Sequence, residues 1–187
     1  MRLILVHGYL APTALLWPLG RRLEARGHTV AFFDYPSRRP PFDAHAEALA
    51  RLLTDRPGPV GLVGHSMGGL LVHRAVALCP AADVRAQIFL ATPHRGAATV
   101  RRLAAIPGAW RFATGMPPGA SGLGLTEPLR GAIGTIVGLR DAMVRPHEAV
   151  LPPPVPCLTL PFGHNELVLR TATADAIARF LDTGGFD

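Results

Sequence analysis

Residues Val60 to Leu70 read Val-Gly-Leu-Val-Gly-His-Ser-Met-Gly-Gly-Leu, a short apolar run ending in a serine bracketed by glycines. Gly64, His65, Ser66, Met67 and Gly68 have the G-x-S-x-G spacing of a nucleophile elbow, a sharp turn from a strand into a helix. Small residues are required there because a side chain on either glycine would strike the neighbouring strand or helix. The apolar residues Val60, Leu62 and Val63 supply the strand, and Leu70, Leu71, Val72, Ala75 and Val76 continue at helical spacing to about Cys79. Ser66 is thereby expected at the carboxyl edge of a sheet, above the amino end of a helix, where backbone N–H groups favour negative charge.

The same alternation recurs on both sides of this stretch. Met1 to Val6 is an unbroken aliphatic run, as expected of a parallel strand covered on both faces. A helix is predicted over Thr13 to Arg26 with Gly27 to end it, then a strand over Thr29 to Phe33 closing in Asp34-Tyr35-Pro36. After a polar loop from Ser37 to Pro41, Asp43 is placed to cap a helix over Ala44 to Leu53, and Pro57-Gly58-Pro59 leads into the serine strand. Further strands are predicted at Ala86 to Ala91, Ala132 to Val137 and Cys157 to Pro161, with a closing helix from Leu167 to Leu181. Between them lie a short helix, Ala97 to Ala105, and a Gly/Pro-rich stretch from Pro107 to Pro128 carrying Trp110, Phe112, Met116 and Leu123. Those four residues suit an apolar flap or ordinary core packing equally, and residues 97–130 are the one candidate for a lid. Strands alternating with helices predict a parallel α/β sheet of about six strands in one domain spanning residues 1–187.

Composition narrows the function classes. The chain has 187 residues, 49% hydrophobic and 17% charged, enough for a single core. Its formal charge is +6 and every basic residue is arginine, which fits GC-rich codon usage. The arginines are scattered, apart from pairs such as Arg38-Arg39, with no aromatic interleaving, so no nucleic-acid partner is expected, while attraction to anionic lipid surfaces or acidic substrates stays open. Cys79 and Cys157 lack metal-ligand spacing and read as buried thiols. No metal site, phosphate loop or cofactor motif is present, and no signal peptide or transmembrane run, so the expected location is cytoplasmic. Oligomeric state is not legible.

In a parallel sheet the site lies at the carboxyl ends of the strands. Four such ends carry reactive or polar residues: His7-Gly8-Tyr9-Leu10, Ser66, Asp141 and His164. Ser66 needs a base, His164 can take its proton, and Asp141 can hold the imidazole tautomer. His147 rivals His164 as base but precedes the last strand rather than following it. Asp34 and Glu148 rival Asp141, and Asp34 reads better as a strand-end hydrogen-bonding group. His7 and His65 read as buried imidazoles that hold loops; His94 shapes its loop and can approach a substrate.

With these residues in place, the chain resembles the α/β-hydrolases, and among them the small bacterial lipases and esterases. The matching pieces are Leu-Val-His-Gly at 5–8, Gly-His-Ser-Met-Gly-Gly at 64–69, Ala-Thr-Pro-His-Arg-Gly at 91–96, Ile-Val-Gly-Leu-Arg-Asp at 136–141 and Gly-His-Asn-Glu-Leu at 163–167. The resemblance implies the minimal form of the fold, without a full cap domain. It also implies a serine hydrolase of carboxylic esters with an apolar acyl or alcohol group, working through Ser66, His164 and Asp141 without a cofactor. Its oxyanion donors would be the backbone N–H groups of Tyr9 and Met67, with Leu10 and His94 near the substrate. Acyl transfer or thioester hydrolysis by the same triad, and a non-catalytic binding protein on the same scaffold, are the alternatives.

Overall fold

The structure is a computed structural model describing residues 1–39, 41–99 and 128–187. The predicted helix over Ala97 to Ala105, the candidate lid at residues 97–130 and the residues Trp110, Phe112, Met116 and Leu123 therefore fall largely or wholly outside the described residues.

Six strands, β1 (Arg2–Val6), β2 (Thr29–Phe33), β3 (Val60–His65), β4 (Val84–Leu90), β5 (Ala132–Gly138) and β6 (Cys157–Leu160), form one sheet in the order β2-β1-β3-β4-β5-β6. Every neighbouring pair is parallel. The aliphatic runs explain this: Leu3 to Val6 and Val60 to His65 are buried throughout, so both faces of the central strands are covered. Among the described residues the covering helices are α1 (Trp17–Glu24), α2 (Phe42–Asp55), α3 (Met67–Leu78), the single turn α4 (Pro146–Ala149) and α5 (Thr171–Thr183). Helices α2 and α3 share one core with Ile4, Val6, Leu62 and Phe89. On the other face, Leu19 and Leu23 of α1 and Ile177 and Phe180 of α5 pack with Leu3, Leu5, Val63 and Ile88. Strand order reverses between β1 and β3, and in such sheets the crevice at the reversal is where ligands sit.

Four local expectations are corrected. The segment from Thr13 opens as a 3-10 turn, Thr13–Leu16, before α1 begins with Pro18 in its first turn, where the missing N–H costs nothing. Asp43 does not cap α2: the helix begins two residues earlier than expected, at Phe42 after an extended Pro41, and Asp43 sits in its first turn, 3.1 Å from Arg74. A carboxylate there still complements the positive helix end. The closing segment is broken at Arg170, with a 3-10 turn at Leu167–Leu169 ahead of α5. Cys79 is buried, but Cys157 is exposed because β6 is an edge strand with a solvated outer side.

Candidate active site

Ser66 follows β3 with φ 54° and ψ −126°, the strained conformation of the elbow. The turn closes tightly: Ser66 N–H donates to Leu90 O at 2.8 Å and Gly69 N–H to Ser66 O at 3.0 Å. Its glycines are sterically required. A Cβ on Gly64 would lie 2.4 Å from the Gly69 Cα, one on Gly68 2.3 Å from the Val6 carbonyl oxygen, and one on Gly69 1.9 Å from Thr92 Oγ1. The amino end of α3 thus presses against β1 and the Thr92 loop, presenting its first N–H groups beside Ser66.

The loop after β1 packs directly against the serine. Gly8 comes so close that an added Cβ would meet Ser66 Cβ at 2.9 Å and Oγ at 3.4 Å, so Tyr9 follows immediately beside the nucleophile. Its neighbour His7 is buried and stacks on Tyr35 with ring centroids 4.4 Å apart. The Tyr35 hydroxyl donates to His7 O at 2.8 Å, and the Nδ1–H tautomer of His7 donates to Gly8 O at 2.9 Å. Burial pushes the Tyr35 phenol well above its ordinary pKa, so it stays a donor. Leu10, half exposed with φ 57°, donates its N–H to Ser37 Oγ at 3.2 Å. Tyr9 is partly buried, which raises its phenol pKa against the lowering influence of the Arg38 cation.

Asp141 and His164 meet. Asp141 Oδ2 lies 2.7 Å from His164 Nδ1, and both side chains are buried. The second carboxylate oxygen, Oδ1, accepts the N–H groups of Met143 and Val144, each at 2.8 Å, which fixes the plane of the group. Two further groups orient the histidine loop. His65 Nε2–H donates to the backbone carbonyl of His164 at 3.1 Å, with the two rings 4.8 Å apart, so His164 is anchored to the residue beside Ser66. Burial and the neighbouring His164 depress the His65 pKa to about 3, which keeps it a neutral donor. Glu166 Oε2 accepts Gly163 N–H at 3.0 Å and pairs with Arg140 at 3.4 Å; Glu166 also pairs with Arg170, and these contacts lower its pKa.

The rival residues are occupied elsewhere. His147 is exposed on α4. Glu148 is buried with Oε1 on Ala98 N–H at 2.6 Å and Oε2 on Arg145 N–H at 2.8 Å, joining the loop after β4 to the loop after β5. Asp34 accepts from Thr13 and lies 3.4 Å from His7 Nε2, as a strand-end hydrogen-bonding group. His94 is buried after β4, edge-on to Phe89 at 4.7 Å, with both ring nitrogens lacking a hydrogen bond. Burial, aided by His73, lowers its pKa to about 3. The roles of Tyr35, Glu148 and Glu166 were not legible from the chain; for Glu166 the spacing of three residues from Gly163 was the available signal.

Among the described residues no group of His, Cys, Asp or Glu could hold a metal ion, and no helix is long and apolar enough to cross a membrane.

A model of the Alpha/beta hydrolase family matches residues 3–185. Among solved structures, a pyrethroid hydrolase from Sphingobium faniae superposes with a TM-score of 0.70 at 20% identity, covering 98% of each chain. A metagenomic carboxyl esterase gives a TM-score of 0.79 at 19% identity over 97% of this chain and 75% of its own. A bromoperoxidase from Bacillus anthracis gives 0.68 at 16% identity over 97% and 91%. At such identities the likeness is one of fold. No curated protein matches.

Proposed function

This chain belongs to the Alpha/beta hydrolase family, and from that premise we propose that it is a serine hydrolase that cleaves carboxylic esters through an acyl-enzyme. The observation that carries the reading is the 2.7 Å contact between Asp141 Oδ2 and His164 Nδ1, in a loop that His65 ties to the elbow of Ser66.

In this reading Ser66 Oγ attacks the ester carbonyl and passes its proton to His164. With Nδ1 held by Asp141, Nε2 is the nitrogen left to act as base. The carboxylate stabilises the imidazolium that forms, and its second oxygen, satisfied by two backbone N–H groups, keeps it from rotating away. The oxyanion rests on the N–H groups of Tyr9 and Met67, each worth about a hundredfold or more in rate. His164 then protonates the departing alcohol, water enters, and the same histidine activates it to release the acid and restore Ser66. Leu10, half exposed after β1, supplies an apolar contact in this reading, and His94 is buried in the loop after β4. A fluorophosphonate probe is expected to label the wild type and leave Ser66→Ala unlabelled, with loss of p-nitrophenyl ester turnover in the variant. Equal labelling of both proteins would overturn the assignment.

A further inference from the structure

The exposed large apolar side chains are not evenly spread. Of the seven among the described residues, Leu10, Trp17, Leu139, Met143 and Leu169 are between 41 and 63% exposed. Leu10 follows β1, and Leu139 and Met143 follow β5. Trp17 opens α1, and Leu169 stands just ahead of α5, both of which start where the strands end. All five therefore stand toward the carboxyl edge of the sheet, where Ser66 also lies, with Trp17 on the β2 flank in a hollow with Arg21, Glu24 and Phe32. Apolar side chains gathered at one edge mark a contact surface, unlike the same residues scattered singly.

Exposed arginines also gather at that edge, beside the exposed carboxylates of Asp34 and Asp43. Arg38 and Arg39 follow β2, Arg95 follows β4 and Arg145 precedes α4; all are exposed. None of the four forms an ion pair among the described residues, whereas Arg140 and Arg170 share Glu166. At the amino edge Arg85 pairs with Asp83 and Arg26 with Asp175, while the exposed Arg56 has no ion pair among the described residues. Apolar side chains interleaved with unneutralised guanidinium groups suit a boundary where hydrocarbon lies beneath fixed negative charge.

We propose that this edge docks on an anionic lipid surface, so that the mouth of the site faces the lipid and ester groups enter from it. The inference rests on the ester-hydrolase reading for the entry of substrate, but the docking itself does not require catalysis. Each arginine brought to an anionic surface is worth about fivefold in partitioning, and the attraction fades as salt shortens its range.

The test is co-sedimentation of the full chain carrying Ser66→Ala, which spares the lipid, with vesicles of phosphatidylcholine alone or of an equimolar mixture with phosphatidylglycerol. Binding at least about tenfold stronger to the mixed vesicles is expected, and its loss at about 1 M salt, where the screening length falls to about 3 Å. Arg39→Glu with Arg95→Glu is expected to lower binding by more than about tenfold, while Arg56→Glu with Arg85→Glu at the opposite edge leaves most of it. In an otherwise wild-type chain, Leu139→Ser with Leu169→Ser weakens adsorption and leaves turnover of a water-soluble ester unchanged. Absence of binding, equal binding to both vesicles, equal losses from the two arginine pairs, or full adsorption of the serine variant would overturn the proposal. If the wild type turns over no soluble ester yet adsorbs as described, the ester-hydrolase reading falls and the docking surface stands.

Discussion

The two edges of the sheet solve the same geometrical problem with different residues. At the amino edge, where helices return to strands, positive φ falls on glycine: Gly27, Gly58, Gly131 and Gly184, with φ between 74° and 109°. At the carboxyl edge, Gly96 apart, it falls on Leu10, Ser66 and Ala91, with φ of 57°, 54° and 47°. A side chain in that region costs about 1–3 kcal/mol and persists only where its surroundings impose it. One edge is relaxed and the other holds strain, and the strained edge is where the polar groups are buried and hydrogen-bonded. Turns that only need to reverse the chain use the residue that reverses it most cheaply, whereas turns that must present a particular side chain do not have that freedom.

The sharpest way to break this contrast is at the two buried carboxylates of the carboxyl edge. Asp141→Asn keeps the shape but puts an amide against His164 Nδ1, so kcat on a soluble ester is expected to fall about 10⁴-fold with little change in melting temperature. Glu148→Gln, which keeps one oxygen for a backbone N–H, is expected to lower stability by about 1–3 kcal/mol and to leave kcat within a few-fold. Comparable kcat losses in both would mean that the two carboxylates are not divided between chemistry and structure.

Gly68→Ala comes next. The added carbon meets backbone carbonyls of β1 rather than a movable side chain, so a loss of about 3 kcal/mol is expected, seen as a fall of roughly 6–12 °C in melting temperature. An unchanged melting temperature would show that β1 and α3 can separate.

Acid should also act through this edge. His65 and His94 have pKa values near 3, below the unfolded value of about 6.5. Between those limits the unfolded chain binds more protons, so the contribution is complete above pH 6.5 and is lost as pH falls toward 3. Each contributes about 1.4 kcal/mol per pH unit inside that window. Urea midpoints measured at pH 7, 6 and 5 are expected to fall steeply in the wild type and about half as steeply in His94→Phe. An equal slope in both proteins would remove His94 from the account.

The smallest effects test strain itself. Gly27→Ala meets no neighbour, so its expected cost of about 1–2 kcal/mol is conformational alone. Ser66→Gly is expected to gain up to about 1 kcal/mol in stability while abolishing turnover. Chemical denaturation of the pair would show opposite signs if the two edges differ as described.

How far the chain disclosed itself follows from the range of the interactions involved. The central strands were legible because burial on both faces leaves a continuous aliphatic run at Leu3 to Val6 and Val60 to Val63, a purely local signature. Ser66 was legible for a similar reason, since the steric demands of its turn are written in adjacent glycines. Asp43 was misplaced as a cap; its carboxylate meets Arg74, 31 positions away, from inside the first turn, a partner that local spacing does not reveal. The exposure of Cys157 depends on which strand stands at the end of the sheet, which strand-by-strand reading does not reveal. Tyr35 holding His7, Glu148 holding two loops and His65 holding His164 are all contacts across the fold with no local spacing to betray them.

The anchoring of His164 by His65 joins positions 99 residues apart. During synthesis the hydroxyl emerges early, before Leu90, whose carbonyl holds its turn, and the imidazole arrives much later, after the last strand of the sheet. Under the proposed mechanism a partly translated chain therefore carries an inert alcohol, and reactivity switches on only with tertiary closure.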